Sequence, residues 1–137
     1  MHHHGDFKVL LVDDEQEYVY MLGKRLRNRG LDVKGAHSGE EALVALEEFP
    51  ADVVVMDVRM PGIGGVETLR RIKSDNSQIE VVILTGYANT EMAVEVMDLG
   101  AFDYLIKPVD IEELLYRLQD AYKKKTICAN PQGTPVL

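Results

Sequence analysis

The sequence predicts an α/β domain built on a five-stranded parallel sheet with five helices, and three observations carry that expectation. Residues 53–56 (VVVM) and 80–84 (EVVIL) are short, almost unbroken apolar runs, the pattern of strands covered on both faces. These runs alternate with longer stretches whose apolar residues recur at helical spacing, and nothing repeats at a fixed period. Directly after the strong runs stand Asp13 and Asp14, Asp57, Thr85 and Lys107. In a parallel sheet with right-handed crossovers those positions share one edge, the edge where open α/β sheets keep their ligands.

Residues 7–12 (FKVLLV) form the first strand, followed by Asp13, Asp14 and Glu15. The spacing of Val19, Leu22 and Leu26 predicts a helix over 15–29, closed by Gly30. Lys24, Arg25, Arg27 and Arg29 gather at its C-terminal end, as the helix dipole favours. Residues 31–36 are a weaker strand expected at the periphery. Ser38 and Glu41 have capping-box spacing and open a helix that runs to Glu48, with Leu43 and Leu46 inward; His37, in the turn before it, reads as a surface residue. Pro50 ends that connection and the strand to Met56 follows. Pro61, Gly62, Gly64 and Gly65 make a loop that leaves space above Asp57, and the third helix is expected over 66–74. The fourth strand ends in Thr85-Gly86, the fourth helix spans 90–99, and the fifth strand (103–106) ends in Lys107-Pro108. Asp110 caps the last helix, with Val109 and Leu114 as a hydrophobic staple and Glu113 completing the box. Lys123, Lys124 and Lys125 suit its C-terminal end, and residues 126–137 read as a tail or the start of a linker.

Bulk properties bound the function. A length of 137 residues suffices for one domain with a real core, 6–125 here. No apolar run approaches ~20 residues and no signal peptide pattern precedes the first strand, so neither a membrane span nor secretion is expected. The single cysteine, Cys128, fits a reducing, cytoplasmic setting. A net charge of −8 argues against nucleic acid binding by this domain alone. Residues 1–5 (MHHHG) read as a tag remnant or disordered leader and take no part in the functional reading.

Three carboxylates at one sheet edge repel, so either one takes a proton or a cation sits among them. All-oxygen donors point to Mg²⁺ or a similar hard ion, which usually keeps waters and binds phosphate oxygens as well. Lys107 suits a phosphate oxygen as a point charge, Thr85 suits another as a donor, and Asp57 suits the role of a nucleophile that carries a phosphoryl group.

Asp13-Asp14, Asp57 followed by Met60-Pro61-Gly62, Thr85-Gly86, Tyr104 and Lys107-Pro108 together resemble the receiver domain of bacterial response regulators, over nearly the whole chain. The resemblance implies a flavodoxin-like, doubly wound sheet of order 2-1-3-4-5. It implies that Asp57 is the phosphoacceptor, loaded by a histidine kinase or phosphotransfer protein. Asp14, Asp57 and the backbone carbonyl of Arg59 would bind Mg²⁺, with Asp13 acting largely through water. Thr85 and Tyr104 would be the switch pair, Tyr104 turning inward as Thr85 moves. Lys107 would contact the phosphoryl group, and Lys107-Pro108 would be a cis peptide. Output would pass to an attached domain or effector through the fourth helix, fifth strand and fifth helix, or through a homodimer formed on phosphorylation. Receivers that dimerise there usually carry a basic residue on the fourth helix, and residues 90–99 have none. The stretch DVRMPGIGGVETLRRIK is similar to receivers attached to ATPase-type transcriptional activators or histidine kinases. Arg59 and Tyr87, two residues after Asp57 and Thr85, are placed to overhang the site and lengthen the life of an acyl phosphate.

Other classes fit less well. An aspartyl phosphatase usually places a second aspartate two residues after its nucleophile, where this chain has Arg59, so turnover of an external substrate is not expected. A dinucleotide-binding domain needs a glycine-rich turn after the first strand, where this chain has three acids. A receiver-like interaction module working without phosphorylation predicts behaviour indifferent to Mg²⁺ and acetyl phosphate.

Overall fold

The computed structural model describes residues 7–129; the expected leader and residues 130–137 lie outside that range. The chain runs β1 (Lys8–Val12), α1 (Gln16–Asn28), β2 (Asp32–Ala36), α2 (Gly39–Glu48), β3 (Val53–Met56), α3 (Gly64–Asp75), β4 (Glu80–Thr85), α4 (Thr90–Asp98), β5 (Asp103–Ile106) and α5 (Ile111–Ala129). The strands form one parallel sheet in the expected order β2-β1-β3-β4-β5.

Strand alternation divides the core. Val9, Leu11, Val53, Val55, Val82 and Leu84 pack with Leu22 and Leu26 of α1 and Leu114 and Leu118 of α5. Leu10, Val12, Val54, Met56, Val81 and Ile83 pack on the other side with Ala42 of α2, Leu69 and Ile72 of α3 and Val96 of α4. Because both faces are covered, every residue of β3 and β4 is buried, which is why those strands are continuous apolar runs. β2 lies at the edge and alternates between exposed and buried residues, as its weaker pattern predicts.

Two boundaries differ from the sequence expectation. α3 begins at Gly64 rather than residue 66. Gly64 has a positive φ of 75°, and Gly65 is required because the helix starts against the chain that follows β3, where a Cβ would collide with the Asp57 carbonyl oxygen and with Val58 Cα. α5 continues through residues 126–129 instead of ending at its lysines. Lys124 and Lys125 reach back to the sheet, to Glu80 at 3.3 Å and Asp52 at 3.2 Å, so they serve as lateral contacts well inside the helix.

Ser38 and Asp110 cap their helices as the sequence predicts, but the Glu113 carboxylate, expected to complete the second box, faces Arg117 at 3.7 Å. Ser38 Oγ accepts from Glu41 N–H, while the Glu41 carboxylate takes the N–H of His37, one residue before the position a capping box uses. Asp110 accepts from the N–H groups of Glu112 and Glu113, and Leu114 is buried with Val109 packed against the same core layer. Lys107-Pro108 is cis, as expected.

Candidate functional site

Val12 and Met56 are register partners, and so are Thr85 and Ile106. The residues that follow them therefore come abreast at the carboxyl edge. The ladder continues one residue beyond the strands: Asp57 N–H donates to Val12, Asp13 N–H to Ala36 and Lys107 N–H to Thr85. The backbone thus fixes where three of the candidate side chains begin.

Asp57 is 8% exposed. Its Oδ1 accepts from Thr85 Oγ1 at 2.6 Å and from Arg59 N–H at 3.0 Å, and its Oδ2 lies 3.3 Å from Lys107 Nζ. Asp13 is buried as well. Its Oδ1 accepts from Glu15 N–H at 3.0 Å, and its Oδ2 takes the shortest bond from Lys107, at 2.7 Å. Glu15 Oε1 is a third carboxylate oxygen near Lys107, at 3.4 Å. Burial pushes the Asp13 carboxyl above its ordinary pKa, against the hydrogen bond from Lys107. Burial also pulls the Lys107 ammonium down, but the hydrogen bond and charge of Asp13 and the charge of Asp57 outweigh it and leave the pKa raised. Lys107 is therefore a fixed cation.

An open cleft of about 380 Å³ stands over this cluster, lined among others by Asp14, Asp57, Arg59, Thr85, Tyr87 and Lys107. Arg59 and Tyr87, expected to overhang the site, both line it, and the Arg59 guanidinium stacks over the Tyr87 ring at 4.0 Å. The Tyr87 hydroxyl accepts from Asn89 Nδ2 at 3.1 Å, and Asn89 Oδ1 caps α4 through Met92 N–H at 2.8 Å. Tyr104 is half-buried, and its hydroxyl donates to the Tyr87 carbonyl. Burial raises the Tyr104 pKa, which keeps that hydroxyl a neutral donor.

Among the described residues no three His, Cys, Asp or Glu side chains converge as a metal cluster. Asp14 and Asp57 line the cleft beside Arg59; the Asp57 oxygens carry bonds from Thr85, the Arg59 amide and Lys107, and those of Asp13 carry bonds from Glu15 N–H and Lys107. Two carboxylates with room for a carbonyl and waters suit Mg²⁺, which rarely uses an all-protein cage.

Asp13, Asp14, Asp57, Arg59, Thr85, Tyr87 and Lys107 thus meet at one edge, while Tyr104, inside β5 and paired with Ile83, is joined to them through the Tyr87 carbonyl. The sequence reading did not single out Tyr18, whose ring faces Lys107, or Asn89, which ties Tyr87 to the α4 cap. Tyr18 had a signal: a first-turn helical side chain leans back over the preceding loop, here the Asp13–Glu15 turn.

Comparison with known proteins matches this arrangement. Residues 9–119 match the family described as the response regulator receiver domain. The transcriptional regulatory protein ZraR of Escherichia coli K12 is 42% identical over 118 residues, covering 86% of this chain and 27% of that protein. The regulatory protein AtoC of the same strain is 37% identical over 120 residues, covering 88% of this chain and 26% of its own length. The chain thus spans about a quarter of the length of these regulators. A receiver domain protein from Clostridium thermocellum superposes with a TM-score of 0.84 at 34% identity, covering 89% of this chain and 98% of that one. The chemotaxis response regulator CheY4 of Vibrio cholerae gives 0.76 at 32% identity, covering 84% and 98%. A family match over residues 9–119, a sheet of the same order and relatives named as regulators agree: this chain belongs to the receiver domains of two-component response regulators.

Proposed function

We propose that the domain is a phosphorylation-controlled switch that takes a phosphoryl group from the phosphohistidine of a histidine kinase or phosphotransfer protein onto Asp57. The observation that carries this reading is the division of labour at Asp57. Thr85 and the Arg59 amide hold Oδ1, while Oδ2 has the Lys107 ammonium beside it in a carboxylate that lines the cleft. In the transfer, an Asp57 oxygen forms the new P–O bond, the P–N bond to the donor imidazole breaks, and the imidazole leaves with that electron pair and takes a proton. Lys107 exchanges Asp13 for a phosphoryl oxygen and offsets its charge. Thr85 turns its hydroxyl from Asp57 to another phosphoryl oxygen.

Asp14, Asp57 and the Arg59 carbonyl would hold Mg²⁺, with Asp13 acting through water. Bound there, the ion would neutralise charge on the transferring group. Arg59 and Tyr87 shield the cleft from water and lengthen the life of the acyl phosphate. The domain catalyses its own aspartyl phosphorylation and dephosphorylation without turning over an external substrate.

Thr85 and Tyr104 form the switch, linked through Tyr87. Exposed Val94 and Met97 of α4, Ile106 of β5 and Tyr116 of α5 support output through that face to an attached domain or effector, or to a second copy after phosphorylation. No helix among the described residues is long and apolar enough to cross a membrane, and we place the domain in the cytoplasm, acting without direct contact to nucleic acid. Borohydride trapping after incubation with acetyl phosphate and Mg²⁺ tests the assignment. Reduction is expected to convert Asp57 to homoserine, located by peptide mapping; label at another residue overturns it.

A further inference from the structure

Tyr18 stands in the first turn of α1, half-buried against the core layer beneath α1 and α5. Its position on the helix carries the ring back over the loop that holds Asp13 and Glu15. The ring centroid lies 4.2 Å from Lys107 Nζ. Tyr18 also lines a small, partly open cavity with Asp13 and Asp57. One aromatic ring therefore touches both the cation of the site and a space lined by its two buried carboxylates.

We propose that Tyr18 is a positioning residue, whose ring holds the Lys107 ammonium over Asp57 while that ammonium exchanges Asp13 for an oxygen of the incoming phosphoryl group. The inference rests on the phosphoacceptor reading. Lysine is a point charge on a flexible four-carbon stem, and it needs restraint to act at a fixed place. The carboxylates alone restrain it unequally: Asp13 at 2.7 Å, Asp57 at 3.3 Å and Glu15 at 3.4 Å. The shortest of these bonds is the one phosphoryl transfer has to break. A hydrogen bond to a carboxylate is directional and is lost when the ammonium turns away. Attraction to a ring face tolerates rotation and small shifts as long as the cation stays within about 6 Å of the centroid. Tyr18 thus supplies a contact that survives the change of partner. The ring also excludes water from one side of Lys107, which strengthens the charge contacts that remain. The phenol oxygen has no part in this, so phenylalanine serves as well and an aliphatic residue does not.

The test compares wild type, Tyr18→Phe and Tyr18→Leu in the full 137-residue chain. Beryllofluoride affinity in Mg²⁺ is measured by calorimetry. The shift of the Lys107 ε-methylene protons, assigned by its loss in Lys107→Arg, is measured by NMR without phosphate or metal. The ring predicts an upfield ring-current displacement in wild type and Tyr18→Phe that disappears in Tyr18→Leu. Tyr18→Leu should weaken beryllofluoride binding about fivefold, the effect of one partly exposed cation–π contact, and Tyr18→Phe should match wild type within about twofold. If Tyr18→Leu does not fold, Tyr18→Met, similar in bulk without the aromatic face, takes its place. No upfield displacement in wild type, equal affinity in all variants, or Tyr18→Phe as weak as Tyr18→Leu overturns the role of the ring. Beryllofluoride that fails to bind wild type overturns the phosphoacceptor reading and this role with it, whereas equal binding by all variants removes only Tyr18.

Discussion

The Thr85 hydroxyl donates to Asp57 Oδ1 at 2.6 Å, joining the ends of β4 and β3 where the backbone ladder has stopped. Thr85 Oγ1 in turn accepts from Tyr87 N–H at 3.2 Å, and the Tyr87 carbonyl accepts from Tyr104. A continuous hydrogen-bonded route thus leads from the proposed phosphoacceptor to the aromatic of β5. A change in what Asp57 offers Thr85 has a physical path to Tyr104.

Thr85→Ala removes both the donor to Asp57 and the acceptor for Tyr87. A buried hydrogen bond to a charged group is worth about 1.5–3 kcal/mol, so stability at neutral pH should fall by about 2 kcal/mol. Urea unfolding measures it, and an unchanged midpoint contradicts the geometry.

Tyr104→Phe leaves the Tyr87 carbonyl without its phenol partner at a cost of about 1 kcal/mol. The loss is local, so amide exchange in the loop between β4 and α4 should speed up while the β3 amides stay protected. Equal rates in wild type and variant would show that the phenol does not hold this loop.

Lys107→Met leaves Asp13 and Asp57 buried without their shared cation, which should cost about 3 kcal/mol at pH 7. In wild type the folded-state pKa of Lys107 lies above its ordinary 10.5. Its contribution is therefore complete below that ordinary value and is lost as pH rises through the folded one. Denaturation curves should show this alkaline loss in wild type and not in the variant. The deficit of the variant should shrink in acid, because burial already favours the protonated form of Asp13.

Arg59→Ala and Tyr87→Ala should each speed loss of the phosphoryl group, since each removes half of the stacked pair beside the cleft. The two effects should be coupled, with an interaction of about 0.5–1 kcal/mol in a double-mutant cycle. Strict additivity would mean that the stack does not matter, and no acceleration in either would remove both from the shielding role.

Much of this was legible in the sequence because strands and their ends are local. The valines of β3 and the run in β4 announce full burial, and in a parallel sheet the residues after them share an edge. That logic located Asp13, Asp57, Thr85 and Lys107 together. It failed where a residue's role depends on a distant neighbour. Gly65 reads as loop until the backbone of Asp57 and Val58 is seen where its Cβ would stand. Lys124 and Lys125 read as a helix end until Glu80 and Asp52 are seen beside them. The Arg59–Tyr87 stack and the Tyr18–Lys107 contact join side chains from separate loops and helices, and no periodicity encodes such meetings.

The measurement that bears most directly on the central claim is intact mass after incubation with acetyl phosphate, with and without Mg²⁺, beside an Asp57→Asn control. The account predicts a gain of about 80 Da, one phosphoryl group on an aspartyl nucleophile, that requires Mg²⁺ and is absent from the control. A gain that persists in Asp57→Asn, or no gain in a protein that binds beryllofluoride no better with Mg²⁺ than without it, would contradict it.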